Sequence, residues 1–182
     1  MRKQVLEVRL RPICKEDAAV LMELNNNKAI SDYVVGNPTV VTMEQQLRWM
    51  EKTACETNAV RWMIEYEAAA VGTVILSALD RFNATGNMNI KLLPAYHGRG
   101  IAKQALLEAC RIAFDEMDIM CLTANILSYN DASLHLFQSV GFRKDGILRS
   151  RVVKNGRRCD LVSLSLLKTE RICVEDEYVG DR

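Results

Sequence analysis

Apolar and charged side chains alternate through residues 5–10 (VLEVRL), the period of a strand with one buried face, and Pro12 stops the run. From Lys15 the period lengthens. Ala18, Ala19, Leu21, Met22 and Leu24 recur at helical spacing until the Asn25-Asn26-Asn27 run, which predicts a first helix. Thr42, with Gln45 three residues on, has the form of a capping box, and Leu47, Trp49 and Met50 give a second helix its apolar surface as far as about Thr57. Period two then returns: Val60, Trp62, Ile64 and Tyr66 alternate with polar neighbours, and VGTVILSAL from Val71 is rich in β-branched residues. The short connection at Glu67 predicts a hairpin. Asn83 to Asn87, with Gly86 among them, predicts a turn into a third strand, MNIKLL, that runs up to Pro94.

After Gly98-Arg99-Gly100 the segment IAKQALLEACRIAFDEM sets Ile101, Ala105, Leu106, Ala109, Ile112 and Ala113 on one stripe, the strongest helical pattern in the chain. A strand over 119–127 follows, then a helix over 131–140 opened by Asn130 and stopped by Gly141, then strands near 147–153 and 159–167 about an Asn155-Gly156 turn. The order βααβββαβαββ predicts one layered α/β domain, a mixed and largely antiparallel sheet flanked by helices on both faces. Residues 1–168 read as that domain and residues 169–182, of mixed charge and little period, as a C-terminal tail.

Composition narrows the class. A chain of 182 residues with 49% hydrophobic side chains has the size and material of one domain with a continuous core. Twenty-four Lys and Arg against 23 Asp and Glu leave a formal charge of +1, so no overall field draws nucleic acid or anionic lipid. Charged residues Glu7, Arg9 and Arg11 interrupt any early signal-like run, and no stretch approaches the ~18 apolar residues of a spanning helix, so a cytoplasmic protein is expected, with no membrane partner. Six cysteines without a C-x-x-C pair and two histidines spell neither a zinc cage nor a disulfide framework, and no metal is expected. Cys110 and Cys121, in apolar surroundings, read as buried thiols.

The chemistry concentrates in LLPAYHGRGIAKQALL, which joins a strand end to the strong helix through two glycines. Amides of Gly98, Arg99, Gly100, Ile101 and Ala102 at a helix start are orphan donors, and the positive end of the helix dipole adds to their pull on an anion such as a pyrophosphate. The same glycines also suit a plain tight turn. Neither G-x-x-x-x-G-K-[ST] nor G-x-G-x-x-G with an acidic residue about twenty positions on is present, so nucleotide hydrolysis and nicotinamide binding lose support. Arg99 and Lys103 either pair with phosphate or stand solvated. Asn130 is an ordinary helix cap by residue type.

Together with the downstream segment NILSYNDASLHLFQSVGF, this loop resembles the GNAT superfamily of acyl-CoA N-acyltransferases. The superfamily's Gln/Arg-x-x-Gly-x-Gly/Ala signature stands here as His97-Gly98-Arg99-Gly100-Ile101-Ala102, with His97 in the Gln/Arg place, and the resemblance extends over residues 7–167. The stretch YNDASLHLFQSVGFRKDGILRSRVVKNGRRCDLVSLSLLK is similar to ribosomal-protein N-terminal acetyltransferases. With EQQLRWMEK it is similar also to nucleotide-amino-sugar and diamine acetyltransferases, and the branch stays open.

The resemblance implies acetyl-CoA as acyl donor and direct transfer to a primary amine, a protein N-terminus or amino sugar ahead of a polyamine. It implies a cradle at His97, Gly98, Arg99, Gly100, Ile101, Ala102 and Lys103. Backbone groups of Leu92 and Leu93 would meet the pantetheine arm, Leu92 N–H would face the developing oxyanion, and Asn130 would hold the cofactor from the other side. Three departures bear on catalysis. Phe137 stands where many relatives carry a proton-donating Tyr, Asn87 and Asn25 replace a Glu and an Arg of the amino-sugar branch, and Val152 replaces the Glu that partners a Ser in the ribosomal branch. That Ser matches Ser133, the proposed donor to the leaving sulfur, with Tyr129 as the alternative and the base unplaced. Asn25, Asn26, Asn27, Tyr33, Trp49 and Trp62 are candidates for the acceptor pocket, Trp49 and Trp62 reading first as core. A non-catalytic acyl-CoA-binding regulatory module is the competing function, and an edge strand offers a route to a homodimer.

Overall fold

The structure, a computed structural model, describes residues 7–36 and 39–171. Strand β1 (Val8–Pro12) is followed by a 3-10 turn at Lys15–Asp17 and by helices α1 (Ala18–Asn26), α2 (Lys28–Ser31) and α3 (Met43–Ala54). Three strands come next, β2 (Val60–Tyr66), β3 (Ala69–Asp80) and β4 (Thr85–Leu92), then a 3-10 turn at Pro94–Tyr96. Helix α4 (Ile101–Asp115), strand β5 (Cys121–Leu127), helix α5 (Asp131–Ser139) and the hairpin β6 (Arg143–Lys154) and β7 (Arg157–Leu167) complete the order. The expected βααβββαβαββ order holds, with one short helix added. That helix, α2, starts where Asn27 stops α1 and caps the next turn through a hydrogen bond from Ala29 N; four residues are too few to leave a periodic pattern. The tail beyond Arg171 and residues 5 and 6 of the first strand lie outside the described residues.

Local chemistry explains most boundaries. Thr42 and Gln45 make the reciprocal capping box of α3, Gln45 N donating to Thr42 Oγ1 at 3.3 Å and Thr42 N to Gln45 Oε1 at 2.9 Å. The β6–β7 hairpin turns through Asn155 and Gly156, both at positive φ, as a two-residue turn matched to strand twist requires. One turn differs from expectation. Asp80 Oδ1 accepts from the amides of Phe82 and Asn83, so the chain reverses before Thr85 and Gly86 is a buried residue inside β4. A Cβ on Gly86 would lie 2.6 Å from Leu76 Cδ1: the glycine serves close side-chain packing rather than a turn.

The seven strands form one sheet in the order β1-β2-β3-β4-β5-β7-β6, antiparallel except where β4 runs parallel to β5. Register sorts the two faces. Leu10, Ile64, Gly72 and Leu92 align on one face, with Trp62, Val74 and Ile90 in the next row, and α4 packs there through buried Ile101, Ala105, Leu106, Ala109 and Ala113. Burying each large aliphatic side chain contributes about 1.5–3 kcal/mol. The opposite face carries Met63, Thr73, Ile75, Asn89 and Lys91 and is covered by α1 and α3. Trp62 therefore belongs to the core under α4. Cys110 is buried there too, and burial pushes its thiol up to about 12; Cys121 is partly buried.

Candidate active site

Strands β4 and β5 pair only over Thr85–Asn87 against Cys121–Thr123 and then part. Asn87 sits at the fork, its side-chain amide donating to Thr123 Oγ1 at 3.1 Å. Beyond it β4 keeps β3 alone as partner, and the antiparallel ladder fixes which way its backbone points. Leu93 N donates to Val71 O at 2.9 Å, so in the next pair, Gly72 opposite Leu92, the Leu92 N–H and C=O are turned away from β3 toward the fork. The Leu92 carbonyl is taken by His97, whose Nε2 lies 2.9 Å away; a carbonyl only accepts, so Nε2 carries the proton. The Leu92 N–H stays available, whereas the Leu93 N–H is committed to Val71.

His97 thus ties the loop before α4 to the end of β4. In that loop Gly98 and Gly100 both have positive φ, 72° and 79°, and Gly100 caps α4. A side chain at either would be strained, and at Gly98 a Cβ would meet nothing within 4 Å, so the loop faces open space. The first helical bond runs from Gln104 N to Gly100 O. The six amides from Gly98 to Lys103 have no acceptor among the described residues. Ile101 is buried in the core and anchors the turn. Arg99 lies over the Tyr96 ring, its guanidinium carbon 5.6 Å from the centroid, and Lys103 is exposed. A concave run of N–H groups at a helix start is a diphosphate site by its donor chemistry. The residues present fit the diphosphate of coenzyme A.

Across the fork, α5 begins at Asn130. Its Oδ1 accepts from Ser133 N at 3.1 Å and its Nδ2 donates to Tyr33 O at 2.9 Å, so both ends of the side-chain amide are engaged within the protein. Tyr129 donates to Asp32 O at 2.9 Å, and its ring meets Tyr33 at 5.9 Å. Burial, with nearby negative charge, raises the Tyr129 phenol above its usual range. Ser133 is partly buried, and its hydroxyl has no hydrogen-bond partner among the described residues. Phe137 is buried against Phe142, ring centroids 5.0 Å apart.

Beneath the polar face of β3 and β4 lies a cavity of about 460 Å³ between those strands, α1 and α3. Of the residues expected to line an acceptor pocket, Asn25 and Trp49 do so. Asn26 is turned to Val41, bonding both its amide and its carbonyl, Asn27 caps α2, and Tyr33 packs on Tyr129. Two lining residues escaped the sequence reading, Gln46 and Lys91. Both occupy positions whose polarity is ordinarily that of a solvated face; the alternation Asn87, Asn89, Lys91 along β4 was the available signal. Among the described residues no cluster of three or more His, Cys, Asp or Glu side chains is arranged to hold a metal ion, and no helix is long and apolar enough to cross a membrane.

Comparison with known proteins agrees with this geometry. The chain is 24% identical to an uncharacterized N-acetyltransferase, YoaA, of Bacillus subtilis over 87% of this chain and 92% of that one. It is 22% identical to the spermidine N(1)-acetyltransferase of Escherichia coli over 88% and 86%. The crystal structure of spermidine N-acetyltransferase from Vibrio cholerae in complex with CoA and spermine superposes with a TM-score of 0.85 at 21% identity, covering 90% of this chain and 97% of that one. A family model for the acetyltransferase (GNAT) domain matches residues 7–143, the region that holds the fork, the amide cradle and the start of α5. The chain belongs to the GNAT family of acetyltransferases.

Proposed function

We propose that the chain transfers an acetyl group directly from acetyl-CoA to a primary amine, with residues 1–168 as the catalytic unit. The observation that carries this reading is the run of six unpartnered amides, Gly98 to Lys103, joined by the His97–Leu92 bond to a strand end whose own N–H faces the fork. When bound, acetyl-CoA supplies a thioester carbonyl. The Leu92 N–H, turned toward the fork, would face the oxygen on which charge develops, and preorganised donors of this kind are worth about 3–4 kcal/mol. Ser133 is the proposed donor to the departing sulfur, since its hydroxyl is uncommitted; Tyr129 would first have to release Asp32. Asn130 acts on the cofactor side by fixing the first turn of α5. An alkyl amine is neutral in roughly one molecule in a few thousand at pH 7, and desolvation in the cavity or loss of the proton to water supplies the neutral form. The new N–C bond then replaces the C–S bond.

Among the described residues no carboxylate lines the cavity. A protein N-terminus or an amino sugar suits such a site better than a polyamine does. Cytoplasmic location belongs to this reading, as does self-association through an edge strand; β6, at one edge, exposes Ile147, Leu148 and Val153. The second reading, a non-catalytic acyl-CoA-binding module, is favoured by one observation, the buried Phe137 in the place of a proton donor. Binding is common to both readings, and turnover separates them. Acetyl-CoA at 100 times its Kd should stabilise the protein by about 2.7 kcal/mol in either case. Free thiol released on adding an amine panel is expected only from the enzyme, and saturable acetyl-CoA binding without release would establish the module.

A further inference from the structure

We propose that the cavity between α1, α3, β3 and β4 receives an acceptor in which the reacting amine is accompanied by a carboxylate, a small amino acid with an apolar side chain, the carboxylate being held by Lys91, which the Asn25–Gln46 relay orients. This rests on the acetyl-transfer reading above, and it names a free amino acid, in place of a protein N-terminus or an amino sugar, as the acceptor of that site.

The polarity of the cavity follows from one cation. Lys91 Nζ donates to Asn25 Oδ1 at 2.8 Å. An ammonium has no acceptor, so the Asn25 oxygen must face it and the Asn25 Nδ2 must face the other way, where it donates to Gln46 Oε1 at 3.0 Å. That in turn fixes Gln46 with its oxygen toward Asn25 and its Nε2 at the far end. Gln46 is 1% exposed, and its Nε2 has no hydrogen-bond partner. Along this relay the side-chain oxygens of Asn25 and Gln46 each accept a bond, and the donors left for a ligand are the remaining N–H groups of Lys91, Gln46 Nε2 being closed off from the cavity.

A carboxylate offers only acceptors and a charge opposite to that of Lys91. Among the described residues no Asp or Glu lines the cavity to offset Lys91 otherwise, and burial alone lowers the proton affinity of its amine. A polyamine would bring further positive charge and further donors to a site already holding both. Leu21, Leu24, Ile75 and Trp49 supply an apolar wall for a side chain. Lys91 and Leu92 are consecutive in β4, so the residue whose charge would hold the acceptor adjoins the one whose N–H is proposed to face the reacting carbonyl.

The test measures thiol release at saturating acetyl-CoA with leucine, leucinamide, isopentylamine (leucine without its carboxylate) and spermidine, together with calorimetry of leucine binding to the CoA-loaded protein; phenylalanine and its matching amine repeat the comparison with a larger side chain. The amino acids are expected to exceed their amides and decarboxylated amines in kcat/KM by roughly 10- to 100-fold, chiefly through KM. Lys91→Met should remove that preference, and Lys91→Arg should retain part of it. Equal or better turnover of isopentylamine or spermidine, with acetyl-CoA bound and thiol released, overturns the carboxylate assignment and leaves acetyl transfer standing. A Lys91→Met protein slowed in kcat to the same extent for every amine, its selectivity unchanged, also overturns it. Absence of any heat of acetyl-CoA binding overturns both readings. Should Lys91→Met fail to fold, Lys91→Gln, polar but uncharged, decides with the unmodified protein's amine panel.

Discussion

Ser133 and Gly98 are the residues at which function and stability separate most cleanly. The Ser133 hydroxyl makes no bond within the described protein, so Ser133→Ala should change stability by no more than about 0.5 kcal/mol. If it protonates the leaving sulfur, kcat should fall by roughly 100-fold; an unchanged rate across pH would remove Ser133 from the mechanism. Tyr129→Phe should do the reverse, losing about 1 kcal/mol with the bond to Asp32 while leaving kcat nearly intact. At Gly98 a Cβ meets no protein atom but imposes a left-handed backbone on a residue that resists it. Gly98→Ala should cost about 1–2 kcal/mol in a melting experiment and should weaken acetyl-CoA binding by more than that loss explains, because the methyl group would stand in the space a diphosphate needs. His97, at the place where a Gln or Arg was expected, holds the Leu92 carbonyl instead of contributing a longer polar arm. No one-dimensional pattern connects residues 92 and 97 in that way.

Among the elements, β3 and β4 carry the site, and their spacing is set by a glycine. A Cβ on Gly72 would come within 2.4 Å of Lys91 O and 3.0 Å of Leu92 Cα, both backbone, so the strands would have to separate where the proposed oxyanion donor sits. Gly72→Ala should therefore destabilise by about 1–3 kcal/mol and lower kcat as well, measured by denaturant titration and thiol release on the same preparation. The helices were legible because their signals are local: the Thr42–Gln45 box, the apolar stripe of α4 and the Asn130 cap all lie within a few residues of the turns they control. Gly86 misled for the complementary reason. Its role is a contact with Leu76, on the neighbouring strand, and only strand pairing brings the two together.

Across the whole molecule, Arg11 links β1 to the turn that opens α1 and to β2. Its guanidinium bonds Asp17 through two nitrogens at 2.8 Å and Glu65 on β2 at 2.9 Å, and Lys154, buried on β6, donates to the carbonyls of Ser31 and Gly36. Burial alone would raise the Asp17 carboxyl, but Arg11 and the Cys14 amide outweigh it and hold the group below the usual carboxylate range. A carboxyl lowered on folding adds stability that is present above its unfolded-state value and lost as pH falls through its folded-state value. Equilibrium unfolding between neutral pH and about pH 2 should show that loss, and Asp17→Asn should weaken the neutral-pH protein by about 1.5–3 kcal/mol while flattening the acid limb. A limb of unchanged slope would assign acid sensitivity to other carboxylates.

Sequence alone determined the order of elements, the mixed α/β class, the glycine loop at the start of α4 and the acetyltransferase family, because each rests on period, capping or a short motif within one stretch of chain. Tertiary structure decided what the polar face of β4 does. Asn89 and Lys91 alternate with Ile90 and Leu92 as any half-solvated strand would, and only the packing of α1 and α3 over that face covers Lys91, turns Asn25 and Gln46 into a directed relay and leaves a cavity lined by a cation and, among the described residues, by no carboxylate. Enclosure depends on contacts between segments tens of residues apart, and period-two patterning states which side chains share a face without stating what will cover it.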